Sequence, residues 1–316
     1  MKRNIKGCFL KRIIVCSLAL LPVLTFTNHL SAQGILVKVR FPNGVISQVE
    51  LEKYVCGVLA GEIPSDWPLE ALKAMAVCAR TFAVNKVIAN FNNYYHLTSE
   101  VRDQVYRAGF RQNEFFTRAV SETRGEVLTY DKNLAQVYYY ASSGGYTASS
   151  ASVWGNDFPY LKAMNDPYST EEPYNSWTLA LNPAEFLRAL KEVGDIQNLS
   201  GTLKSVEVAK RDESNRVKTL KVSLANQDYF IDINSKSDNP KRKTLREVLG
   251  NNQLRSTSFD VRMENGMVLF TGKGWGHGVG LSQWGAKKMA EQGYTYDRIL
   301  KFYFPDTIMG EVVLSQ

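Results

Sequence analysis

Cysteine and histidine are scarce in this 316-residue chain, which holds four of the first and three of the second. Cys8 and Cys16 fall in an N-terminal stretch treated below, leaving Cys56 and Cys78 for the body of the chain. Two cysteines without paired histidines do not make a structural metal site, so neither a metal nor a cofactor is expected. A single disulfide and two small buried thiols are both open to them. Long charge runs are lacking as well. The densest, Lys241-Arg242-Lys243, is too short for a nucleic-acid patch, and no nucleic-acid-binding signature accompanies it. The net charge of +7 and the pI of about 9.1 suit a polyanionic partner, such as an anionic membrane surface or wall polymer. There is no internal repeat and no low-complexity tract.

Only one long apolar run is present, residues 13–26. Lys2, Arg3, Lys6, Lys11 and Arg12 precede it, and small or polar residues 27–33 follow. This is the layout of a signal peptide over residues 1–32, with cleavage after Ala32; an uncleaved N-terminal anchor is the alternative. The run is short for a bilayer span and carries Pro22. The remainder is expected to be soluble and extracytoplasmic, in a periplasmic or secreted cell-wall space. Membrane contact is then confined to an uncleaved N-terminal segment. A hydrophobic content of 44% can fill a full core, as one large domain or two lobes.

Alternation over residues 35–41 and 46–55, around Pro42-Asn43-Gly44, predicts a hairpin whose second strand leads to Glu62. Pro68 fits the first turn of a helix running to about Lys86, with Glu70 complementing its dipole. Further helices are predicted over 114–123, 183–193 and 244–249, and another from Ser282 to near Gly293. Strands are predicted over 127–130, 135–141, 204–211 and 217–233.

Four places carry candidate chemistry. Glu62 lies among Leu59, Ala60, Gly61, Ile63 and Pro64. A poorly solvated carboxyl resists ionisation, as a general acid near neutral pH requires; a surface glutamate in a tight turn is the other reading. Lys73 and Arg80 are seven residues apart on one helical stripe, facing either a common cleft or solvent. Ser142-Ser143-Gly144-Gly145 follows a tyrosine-rich stretch and offers backbone N–H groups and hydroxyls to a sugar or an oxyanion, unless it is a loop with no task. Glycine then occupies every second position from 272 to 280, stripping one face of an extended segment and leaving Lys273, Trp275, His277 and Val279 opposite. His277 can be a ligand, an acid–base partner or a hydrogen-bonded core residue.

These blocks together resemble the stage II sporulation protein D family, the SpoIID/LytB domain. The stretches that carry the resemblance are Val58-Leu59-Ala60-Gly61-Glu62-Ile63-Pro64 with Trp67-Pro68-Leu69-Glu70-Ala71-Leu72-Lys73-Ala74, then Ala76-Val77-Cys78-Ala79-Arg80-Thr81 and Gln104-Val105-Tyr106. Ser142-Ser143-Gly144-Gly145 with Val153-Trp154-Gly155 follows, and Gly274-Trp275-Gly276-His277-Gly278-Val279-Gly280-Leu281-Ser282-Gln283-Trp284-Gly285-Ala286 completes the set. The resemblance implies an α+β fold, with mixed sheet and helices forming two lobes around an open substrate cleft. Residues 33–316 form the domain, and 178–260 its second lobe. It also implies a lytic transglycosylase acting on peptidoglycan glycan strands stripped of stem peptides, in sporulation or division, with Glu62 as the catalytic acid. Substrate contacts then fall to Lys73, Arg80, Tyr138, Tyr140, Ser142, Ser143, Gly144, Gly145, Trp154, Trp275, His277 and Gln283. Some family members bind zinc near the Gln104-Val105-Tyr106 block; here Ser99, Arg102 and Asp103 stand there without a cysteine, and no metal is expected.

Ordinary glycosidases use two carboxylates. One suffices when the substrate supplies its own nucleophile, as the C6 hydroxyl of muramic acid does by attacking C1, leaving a 1,6-anhydro end. Asp157 and Asp166 are the candidates for a second carboxylate if water is the nucleophile instead. The family also includes enhancers of a cell-wall amidase, so a non-catalytic binder with an amidase partner is the alternative from another class.

Overall fold

The computed structural model describes residues 34–109, 113–194, 199–234 and 243–312, together with the backbone of Val15–Ser17. Apart from that short strand, which pairs antiparallel with Ile308–Val312, the expected signal peptide lies outside the described residues. So do Lys241 and Arg242. The chain is α+β, with helices and several small sheets. No helix among the described residues is long and apolar enough to cross a membrane. The described residues divide into two compact units, one of 34–65, 76–136 and 307–312, the other of 66–75 and 137–306.

In the first unit, Leu36–Arg40 pairs antiparallel with Ile46–Glu50, and Leu97–Thr98 joins its other edge in parallel. The hairpin appears as its alternation predicts, but its second strand stops at Glu50. Leu51–Glu62 is a helix, not a continuing strand. Leu51, Val55, Val58 and Leu59 recur at helical spacing, and all are buried. The first helical N–H, that of Leu51, donates to the Ile35 carbonyl at 2.9 Å. Pro64 biases Ile63 to the extended conformation seen (φ −140°, ψ 154°), which makes Glu62 the last helical residue.

A buried ion pair joins this helix to the next, Leu69–Ala89. Arg80 Nε donates to both Glu52 carboxylate oxygens at 3.0 and 3.2 Å, and Nη2 to Oε2 at 2.7 Å. The remaining guanidinium donors reach the carbonyls of Glu126 (3.1 Å) and Val120 (3.3 Å), while Gly125 N–H donates to Glu52 Oε1. Arg80 has no exposed surface. The expectation that it faces a ligand is therefore corrected: every donor group is committed inside the protein. Cys56 and Cys78 are both free and buried. Burial pushes the Cys56 thiol up to about 11 and the Cys78 thiol higher still.

In the second unit, Leu203–Arg211, Val217–Leu224 and Asp228–Asp232 form one antiparallel sheet. Trp177–Leu181, Met267–Gly272 and Phe259–Glu264 form another. Phe186 and Leu190 of helix Pro183–Gly194 share one core with Val206, Leu220, Val222 and Phe270. A short parallel pair, Tyr139–Tyr140 with Leu281–Ser282, leads into helix Gln283–Glu291, whose Gly285 N–H is capped by Ser282 Oγ at 3.2 Å. The sequence predicts a longer strand over 135–141.

Removing one member of the Glu52–Arg80 pair strands the other charge in the core. Arg80→Met and Glu52→Gln are each expected to cost about 3–5 kcal/mol, measured as a fall in the urea midpoint of unfolding.

Candidate functional site

In the first unit, Glu62 is half-buried at the C-terminal end of its helix. Leu59 and Ile63 are buried beside it. A carboxylate there meets the negative end of the helix dipole, unfavourable by about 0.3–1 kcal/mol. A donor is at hand: the Val105 N–H meets Glu62 Oε1 at 2.7 Å. This approach depends on Gly61, where an added Cβ would sit 2.1 Å from the Val105 carbonyl oxygen. Arg80, expected nearby by helical spacing, is the buried structural cation already described.

In the second unit, Lys73 Nζ is 2.8 Å from Glu70 Oε1 and lies over the Tyr296 ring at 5.6 Å. Glu70 also accepts from the Tyr296 N–H at 2.8 Å. Four expected residues come together around one point. The Trp154 ring lies 4.5 Å from Tyr138 and 5.1 Å from His277, and His277 lies 5.3 Å from Tyr140. Trp154 is the open member, 42% exposed, on a short helix capped by Ser149. Tyr140 is buried and its phenol pushed well up by burial. It has no face left for a ligand, which corrects its expected stacking role. Trp275 stands apart, edge-on to Tyr174 at 4.7 Å with the Arg255 guanidinium 5.2 Å from its ring. Gln283 is buried at the start of its helix.

The alternating glycines do not form a strand. Gly274, Gly276, Gly278 and Gly280 all have positive φ, between 71° and 123°. A Cβ at Gly276 would lie 2.5 Å from Tyr140, and one at Gly280 2.2 Å from the Tyr138 carbonyl oxygen. Both conformation and crowding thus demand glycine. The coil brings His277 into the aromatic cluster, where Nδ1 accepts from the Val279 N–H at 3.1 Å. Burial, helped by the Arg246 and Arg216 cations, pushes its imidazole down to about 3, so it is neutral at physiological pH.

The 142–145 loop is pinned rather than open, a second correction. Ser142 N–H donates to the Trp275 carbonyl (3.0 Å) and Ser143 N–H to Ser169 Oγ (3.0 Å). Gly144 and Gly145 N–H groups donate to the hydroxyls of Ser142 and Ser143. The backbone donors proposed for an oxyanion are consumed internally. Beneath them lie groups that sequence spacing does not reveal. Glu172 accepts from Ser142 and Ser169 hydroxyls, and buried Arg216 donates to the Ser143 and Tyr146 carbonyls. Asp166, fully buried, accepts from the Tyr303 hydroxyl at 3.1 Å, and burial pushes it up to about 6. Asp157, the other candidate for a second carboxylate, is exposed. A polar hollow of about 440 Å³ adjoins the loop, lined by Gly144, Gly145, Tyr146, Asn175, Glu213 and Lys273 among others.

With these features in place, likeness to other proteins becomes informative. Residues 43–130 match the family described as Stage II sporulation protein, and residues 156–280 match a domain of unknown function. Stage II sporulation protein D of Bacillus amyloliquefaciens is 33% identical over 287 residues, 86% of this chain and 77% of that protein. The protein of the same name from Bacillus subtilis is 30% identical over 287 residues, covering 86% and 78%. The Amidase enhancer of Bacillus subtilis is 33% identical over 293 residues, 80% of this chain but 40% of that longer protein. The chain belongs to the stage II sporulation protein D family.

Neutral His277 gives a check on the second unit. In the unfolded chain an imidazole titrates near 6.5, so protons favour unfolding as pH falls from about 6.5 toward 3. His277→Gln is therefore expected to lower the urea midpoint at pH 7, and by clearly less at pH 5.

Proposed function

We propose that the protein is a lytic transglycosylase that cuts peptidoglycan glycan strands, preferentially those free of stem peptides, in the extracytoplasmic cell-wall space during sporulation or division. The observation that carries the reading is the placement of Glu62: one half-buried carboxyl on a helix end, with one oxygen held by a backbone N–H. A proton from Glu62 passes to the glycosidic oxygen as the C1–O bond breaks. The C6 hydroxyl of the muramic acid attacks C1, and its proton returns to the Glu62 carboxylate. Atoms balance without water, and the tethered nucleophile supplies the entropic advantage of an intramolecular reaction. No second carboxylate is needed, which agrees with Asp166 being locked to Tyr303 and Asp157 lying on the surface.

In the second unit, sugar faces are proposed to stack on exposed Trp154, with Tyr138 beside it, and on half-buried Trp275. The polar hollow beside Gly144 and Gly145, with Lys273 at its rim, is large enough for a small oligosaccharide and offers a cation to a lactyl carboxylate.

The likeness to an Amidase enhancer favours a second reading, in which the protein binds wall glycan and a wall amidase without cutting. Digestion of purified glycan strands, denuded and peptide-bearing, separates the two. The parent protein is expected to release anhydro-terminated fragments, and Glu62→Gln none. Reducing-end products would replace the intramolecular step with hydrolysis; tight binding without products would favour the enhancer. In the inactive Glu62→Gln background, Trp154→Ala is expected to weaken strand binding several-fold by calorimetry, because it removes an exposed aromatic face.

A further inference from the structure

The Gln104-Val105-Tyr106 block has no part in the reading above, yet it is the segment that touches Glu62. We propose that residues 104–107 are a strap that assigns the two oxygens of Glu62: Val105 N–H holds Oε1 as the acceptor, and Oε2 carries and delivers the proton. The proposal rests on Glu62 being the acid.

The strap is anchored on each side. Gln104 Oε1 accepts from the Tyr54 hydroxyl at 3.0 Å, and its Nε2 donates to the Ala79 carbonyl at 3.4 Å. The Tyr106 ring stacks on Tyr54 with centroids 5.1 Å apart and planes inclined by 20°. Tyr106 N–H reaches the Ser99 carbonyl at 3.3 Å, and Arg107 N–H the Gly57 carbonyl at 3.1 Å. Tyr54, Gln104 and Tyr106 are all buried. Side chains on both sides of Val105 thus fix the position of its backbone N–H.

The helix is shaped to receive the strap. Gly57 and Gly61 lie one turn apart, and a Cβ on Gly57 would stand 2.2 Å from the Tyr106 ring. One on Gly61 would collide with the Val105 carbonyl. Each glycine costs a helix interior about 0.5–1 kcal/mol relative to alanine. Here that cost opens the groove through which the Val105 N–H reaches the carboxyl at the helix end.

The chemistry follows from which atoms can accept. An amide N–H bonds to the carbonyl oxygen of a carboxylic acid in preference to its hydroxyl oxygen, so the proton resides on Oε2. When that proton leaves for the glycosidic oxygen, the O–H electron pair stays on Oε2. The bond at Oε1 becomes charge-assisted and strengthens as the anion forms. Oε2 is then free to take the C6 hydroxyl proton. Val105 and Gly61 are positioning residues, acting only through Glu62.

Two measurements on the full chain test this. In ¹⁵N-labelled protein, the Val105 amide resonance is expected to move with pH, and Glu62→Gln is expected to abolish that movement. An amide indifferent to pH and to Glu62→Gln would overturn the proposal, whether or not the protein cuts glycan. Replacing the 104–105 amide with an ester deletes the donor alone. It is expected to lower kcat on denuded strands about 10- to 100-fold, the loss of a hydrogen bond to a charged group, with KM little changed. The pH–rate profile should shift to higher pH, because the anion has lost its donor. Gly61→Ala should do the same; should it fail to fold, the ester still decides. An ester protein with parental kcat and pH profile would sink the strap. A parent that yields no products would sink the acid instead, leaving the amide titration to judge the strap.

Discussion

The buried pair of Glu52 and Arg80 is the constraint on which the first unit depends. Two charges without solvent are tolerable only when every donor and acceptor is used, and here they are. The guanidinium gathers helix Leu51–Glu62, helix Leu69–Ala89 and the backbone at Val120 and Glu126 around one point. The direction of the first helix is thereby set, and with it the position of the carboxyl at its far end. A side chain ten residues from Glu62 thus governs where Glu62 stands.

The second unit uses a different device. It has no comparable buried pair around the glycine coil; instead backbone conformations open to glycine alone bring the chain against Tyr138, Tyr140 and Arg216. The result is a rigid floor of pinned hydroxyls and carbonyls, with Trp154 standing out of it. That division of labour, one rigid acid and one rigid aromatic surface, suits the binding and cutting of a stiff polysaccharide, in which misplacement of a reacting atom is costly.

Much of the fold was legible because its periodicity is local. The hairpin, helix Leu69–Ala89, helix Pro183–Gly194 and the strands Leu203–Arg211 and Val217–Leu224 follow their hydrophobic patterns. Helix Leu51–Glu62 was masked by Gly57 and Gly61, which weaken helix propensity for the sake of a tertiary contact the sequence does not display. The glycine run was read as extended because alternation alone does not report the sign of φ. Arg80 was taken for a possible ligand contact because its partner, Glu52, lies a whole helix away in sequence. Glu62 was visible from its apolar, proline-ended surroundings, whereas its donor at Val105 was not, since a backbone N–H leaves no trace in a side-chain pattern.

Cys56 and Cys78 carry one more consequence. Both sulfurs are buried, unlinked and held in the thiol form, and thiolate is the species that undergoes exchange. The fold therefore draws nothing from oxidation. A chain of this kind can be exported extended and attain its native state without an oxidase or isomerase, equally well in anaerobic surroundings and in air.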